Sequence, residues 1–181
     1  GDVTVTVNNG NLGAVYGGND AKGSPSGDDF VYLNGGTIGN AFGGGNQTGQ
    51  TTTNIYLQGA TVTNLYGGSN QSGNVTTNNV FVTSGTSGNV YGGNNLGGKT
   101  TTDNVEITGG TITGDVYGGG NLASATTTNL YLGAANINNV YGGGKSADAT
   151  TTTSQIVGST IQNFYGGSNV TGNVDQATLT M

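Results

Sequence analysis

The side chains able to do acid–base or metal chemistry are few, so they bound the function first. Nine carboxylates are present (Asp2, Asp20, Asp28, Asp29, Asp103, Glu106, Asp115, Asp148 and Asp175), against three lysines at Lys22, Lys99 and Lys145. Polysaccharide cleavage needs clustered carboxylates, or a basic residue beside a bound metal. Asp103 and Glu106 are close in sequence, but their odd spacing along a strand turns them to opposite faces. Asp20, Asp28 and Asp29 gather in the longest insertion, beside the single proline Pro25, and could offer oxygen ligands to one calcium ion. Histidine, cysteine and arginine are absent, which removes His-dependent triads, imidazole and thiolate metal sites, and disulfides. The expectation is a protein that is not an enzyme and has no cofactor, with Ca2+ at Asp20, Asp28 and Asp29 as the one candidate ion.

Charge and composition narrow the partners. The net charge of −6, with the lysines scattered, leaves no basic footprint for phosphates, so nucleic acid is not an expected partner. No run of about 18 apolar residues occurs, so no membrane-spanning helix is expected. Only 31% of residues are hydrophobic and 38 are glycine, too lean for a conventional globular core. Charged residues are nevertheless just 7%, and Val, Ile and Tyr recur, unlike a disordered chain. A chain of this kind draws on backbone hydrogen bonds and on side chains stacked between repeats.

The elements that would position any site are set by a repeat. An aromatic residue followed by two glycines occurs at Tyr16, Phe42, Tyr66, Tyr91, Tyr117, Tyr141 and Tyr165, in steps of 26, 24, 25, 26, 24 and 24 residues. Each unit carries an apolar pair around one variable position: Val5/Val7, Val31/Leu33, Ile55/Leu57, Val80/Val82, Val105/Ile107 and Leu130/Leu132, then weaker Ser154/Ile156 and Ala177/Leu179. That alternation is a strand with one buried face. A second apolar pair precedes each aromatic, with a corner expected at Asn40, Asn64, Asn89, Asn139 and Asn163, where asparagine tolerates left-handed backbone. The predicted fold is all-β: one domain spanning residues 1–181, a right-handed parallel β-helix or solenoid of about seven coils of 24–26 residues. The motif resembles the Tyr-Gly-Gly-Gly-Asn type repeats of large secreted bacterial and archaeal β-helix surface proteins, including adhesin stalks. The resemblance covers the whole chain and implies an extracellular or cell-surface structural protein rather than a particular activity.

Stacked coils turn each repeat position into a row along the axis. The seven aromatics before Gly-Gly read as a structural ladder of stacked rings. The variable position inside the apolar pair carries Tyr32, Tyr56, Phe81 and Tyr131, a candidate outward stripe for carbohydrate or a host surface. The threonine runs Thr51–Thr53, Thr100–Thr102, Thr126–Thr128 and Thr150–Thr153 suggest an ice-binding face, although strand parity turns the first and third threonines inward. Sequons at Asn46, Asn70, Asn74 and Asn169 could carry glycans, or the asparagines could form an amide ladder with Asn95 and Asn121. Both terminal units keep full strand alternation with no polar cap, which points to a longer solenoid or to copies joined head to tail in a fibre.

Overall fold

The computed structural model describes residues 1–181. It is a parallel β-solenoid of about seven coils, without a helix. One row of strands runs β1 (Val3–Val7), β3 (Asp29–Leu33), β5 (Gln50–Tyr66), β6 (Val75–Tyr91), β7 (Thr100–Ile107), β10 (Ala125–Leu132), β12 (Ala149–Ile156) and β14 (Val174–Thr180), each paired in parallel with the next coil. The second row is β2 (Asn11–Tyr16), β4 (Thr37–Phe42), the later halves of β5 and β6, β8 (Thr111–Ile112) with β9 (Asp115–Tyr117), β11 (Asn136–Tyr141) and β13 (Thr160–Tyr165). Consensus positions meet in register: Val31 pairs with Ile55, Ile55 with Val80, and Val80 with Val105.

The apolar pairs of both rows point into one core that runs the length of the rod. Val31, Leu33, Ile55, Leu57, Val80, Val82 and Ile107 are fully buried, and Ile38, Val62, Leu65, Val90 and Val116 close the opposite side. A slim aliphatic filling suffices because the strands of each coil hydrogen-bond to those of the coils about 4.7–4.9 Å above and below.

Glycine acts here through close approach and through turn geometry, at different positions. After each aromatic, the first glycine lies flush against the next coil: a Cβ on Gly92 would stand 2.0 Å from the Gly118 carbonyl oxygen and 2.9 Å from Val105 Cγ2. None of these post-aromatic glycines has positive φ, so crowding between coils, rather than a left-handed corner, excludes a side chain there. Gly36, Gly85 and Gly110, three residues past the apolar pair in their coils, do have φ of 90°, 87° and 81°, a left-handed turn that any other residue would strain to adopt.

The asparagines expected at a left-handed corner are not left-handed, since no residue other than glycine has positive φ. They stand in the strands of the second row and bond to one another. Asn64 Nδ2 donates to Asn40 Oδ1 at 3.0 Å, Asn89 to Asn64 at 2.9 Å, and Asn163 to Asn139 at 3.0 Å, with Asp115 accepting from Asn139 at 2.8 Å. Side-chain amides stacked at the coil spacing give a better-bonded solution than the local turn that asparagine offers alone.

Candidate functional site

Two rows of aromatic rings run along the rod. The first is the expected structural ladder, stacked without a break from Tyr16 to Tyr165, with ring centroids 4.6–5.1 Å apart. Phe42, Tyr66, Tyr91, Tyr117 and Tyr141 are buried in a cluster of their own, separate from the aliphatic core, while Tyr16 is partly covered and Tyr165 is exposed. Two of the tyrosine hydroxyls are held at the rim: Asn70 donates to the Tyr16 hydroxyl at 3.2 Å, Asn169 to that of Tyr117 at 3.1 Å, and the Tyr117 hydroxyl donates to Asp115 at 3.1 Å. Burial pushes the Tyr91 hydroxyl up to about 12, with the nearby Asp115 charge adding to it. These are rings placed for packing.

The second row faces outward on the strands that carry the apolar pairs. Tyr32, Tyr56 and Phe81 stack at 4.9 and 4.8 Å, tilted by 12° from each other. The stack then breaks. The register continues from Phe81 to Glu106 and from Glu106 to Tyr131, so a carboxylate occupies the rung where a ring is missing. Gln155 follows Tyr131. The break opens a surface notch of about 280 Å³ whose lining includes Phe81, Glu106, Tyr131, Asn104 and Asn129.

Beside this stripe, on the same outward face, lie two polar rows. Asn79, Asn104 and Asn129 each donate from Nδ2 to the Oδ1 of the preceding coil's residue, at 3.0, 2.9 and 2.9 Å, in a row that begins at Asn54. Thr52, Thr77, Thr102, Thr127 and Thr151 stand in register next to them. The inward reading of the threonine runs needs correction. Thr53, Thr128 and Thr152 turn inward, but Thr51 and Thr150 are exposed, and in Thr100–Thr102 the first residue is buried while the third is partly exposed. Gln50 and Thr53 both face inward although they are three positions apart, so a corner falls between them and resets the parity.

The inward threonines belong to a row that sequence reasoning missed. Asp29, Thr53, Asn78, Asp103, Thr128 and Thr152 occupy one repeat position and are all buried. The Thr53, Thr128 and Thr152 hydroxyls donate to the carbonyls of Gly67, Gly142 and Gly166, at 2.6, 2.6 and 2.9 Å, which ties the post-aromatic bend to the strand. Asp103 accepts from Asn78 at 2.8 Å and from Thr100 at 2.9 Å. Burial nevertheless pushes its carboxyl up to about 7, against the pull of those two bonds. Asp29 meets no donor from the chain at either oxygen, and burial, helped by the Asp28 charge, also pushes it up to about 7.

The structure separates the residues considered for calcium. Asp29 points into the rod, Asp20 accepts from Asn46 Nδ2 at 2.8 Å on the surface, and the Asp28 backbone bonds to Asp2. No three acidic side chains converge anywhere in the chain. Asp103 and Glu106 face opposite sides of β7, one buried and one exposed, as their spacing requires. At the sequons, Asn46 and Asn70 are engaged in an amide ladder: Asn70 donates to Asn46 at 2.9 Å, Asn95 to Asn70 at 2.8 Å, and Asn121 to Asn95 at 2.9 Å. The same Nδ2 that would take a glycan is committed there, and at Asn169 it is bonded to Tyr117. No helix of the structure is long and apolar enough to cross a membrane.

Compared with family models, with curated proteins and with solved structures, the chain finds no match in any of the three.

Proposed function

We propose that this chain is a non-catalytic structural solenoid, part of an extracellular filament or cell-surface stalk. The observation that carries the reading is the polarity of its ladders. In each asparagine row the amide nitrogen donates toward the preceding coil, and the row through Asn139 ends at Asn163, whose amide oxygen is left open toward the next coil. A coil added at that edge, from a longer polypeptide or from another copy, meets this acceptor as well as an unpaired strand edge. The Tyr-Gly-Gly-Gly-Asn resemblance supports the location outside the cell, and the scatter of the nine carboxylates, no three of which converge, supports a mechanical role rather than a catalytic one.

Electron microscopy and fibre diffraction of the native material test this directly. Continuous rods with an axial repeat of about 4.8 Å are the expected result. Isolated particles no longer than this coil stack, without axial association at high concentration, would overturn it. A second reading, an adhesin contacting its target through Tyr32, Tyr56, Phe81 and Tyr131, is favoured by the exposure of that one stripe while the other ladder is covered.

A further inference from the structure

The outer ring stack breaks at one rung, and the break has a definite shape and charge. Tyr32, Tyr56 and Phe81 rise by 4.8–4.9 Å per ring, whereas Phe81 and Tyr131 are two rungs apart, about 9.6 Å along the axis at the sheet spacing. The gap therefore has the height of one planar group. Glu106 stands at the missing rung and carries the only charge lining the notch. Asn129 lies alongside; Thr153 follows it in register and brings no amide, so Asn129 Oδ1 ends its row with its lone pairs open.

We infer that the Phe81–Glu106–Tyr131 notch is a binding site for the guanidinium group of an arginine side chain presented by a partner polypeptide. A guanidinium is planar, so it replaces the missing ring in the stack, and its charge suits both aromatic neighbours and the carboxylate. Its fork of N–H donors matches the two Glu106 oxygens, with a further donor left for Asn129 Oδ1. A lysine ammonium satisfies the charge but not the planar gap. A neutral sugar ring satisfies neither the charge nor the height. None of these 181 residues is arginine, so the occupant is presented from outside this solenoid, and the net charge of −6 favours a cationic one. The site is independent of whether further coils extend the rod.

The test is titration of the intact, isotope-labelled chain with N-acetyl-arginine-N-methylamide, followed by backbone amide shifts. Saturable shifts centred on Phe81, Glu106, Asn129 and Tyr131, with a dissociation constant of about a millimolar, are expected. The lysine counterpart should bind several-fold more weakly. Glu106→Gln should weaken arginine binding by about tenfold. Glu106→Tyr, which fills the rung with a ring, should abolish it while leaving amide shifts on the other faces unchanged. Shifts of equal size in Glu106→Gln, shifts spread over several faces, or tighter localised binding of methyl glucoside than of the arginine probe would each overturn the assignment.

Discussion

The two aromatic rows share a spacing and a chemistry, yet they differ in everything that decides use. The inner-lying row from Tyr16 to Tyr165 is continuous, mostly buried and bordered by asparagine and aspartate side chains that hold the Tyr16 and Tyr117 hydroxyls. The outer row is interrupted at Glu106, with Tyr131 left 37% exposed and stacked on nothing. An unbroken stack holds adjacent coils together, and each ring has its faces filled by its neighbours. A broken stack leaves ring faces available. The contrast teaches that recognition in a solenoid is to be sought where a ladder fails.

Truncating a ring in each row gives the sharpest test of that contrast. Tyr91, 3% exposed and stacked on both sides at 4.6 and 4.8 Å, loses its packing on two coils when cut to alanine. Tyr91→Ala should lower stability by about 3–5 kcal/mol in urea unfolding. Tyr56→Ala in the outer row, stacked on Tyr32 and Phe81 but only half-buried, should lose about 1–2 kcal/mol, the scale of two cross-strand pairs. Equal losses would erase the distinction between a structural and an available row.

The glycines beside each row should divide in the same way. A Cβ at Gly92 meets the backbone oxygen of Gly118 at 2.0 Å, which only a shift of the coils can relieve, so Gly92→Ala should cost about 3 kcal/mol. At Gly133, next to the outer row, the nearest atom is the Tyr131 ring at 3.2 Å, an exposed side chain free to turn. Gly133→Ala should change the thermal midpoint little.

Much of this arrangement was legible before any coordinates. The apolar pairs, the parallel stacking and the ring ladder follow from residue spacing alone, and so does the placing of Asp103 and Glu106 on opposite faces of one strand. What escaped were contacts between coils. Nothing near Gly92 in sequence shows that Gly118 will lie against it, and nothing near Thr53 shows that its hydroxyl will reach Gly67. The parity of the threonine runs failed because one unseen corner between Gln50 and Thr53 resets which side chains face inward. The asparagines misled for a related reason: their local preference for turns lost to bonds with asparagines about 25 residues away.

The two carboxyls on β7 extend the comparison from rings to charges. Asp103 is fully buried with its carboxyl pushed up to about 7 from 3.8. A folded-state value above the unfolded one means that the native protein holds the proton longer. The stabilisation is therefore complete below about pH 4 and is lost as pH rises through about 7. Thermal unfolding across that interval should show stability falling as Asp103 is forced to ionise, and Asp103→Asn should flatten that part of the profile. Asp29, pushed up in the same direction, should contribute a residual slope in that variant. A profile unchanged by Asp103→Asn would remove the buried row as the source of pH sensitivity.

The smallest expected effect bears most directly on why the outer row is broken. If Glu106 were a neutral filler, replacing it with tyrosine should simply complete the stack from Tyr32 to Tyr131. The gain expected from two new ring pairs on a half-exposed face is about 0.5–1 kcal/mol, read as a raised urea midpoint with unchanged slope. That gain would mean the native sequence forgoes stability at the rung where the notch opens, as expected of a position kept for binding. No gain, or a loss, would mean that the flanking rings cannot close on a third. The outer row would then be interrupted by its own geometry, and its difference from the buried ladder would be one of packing alone.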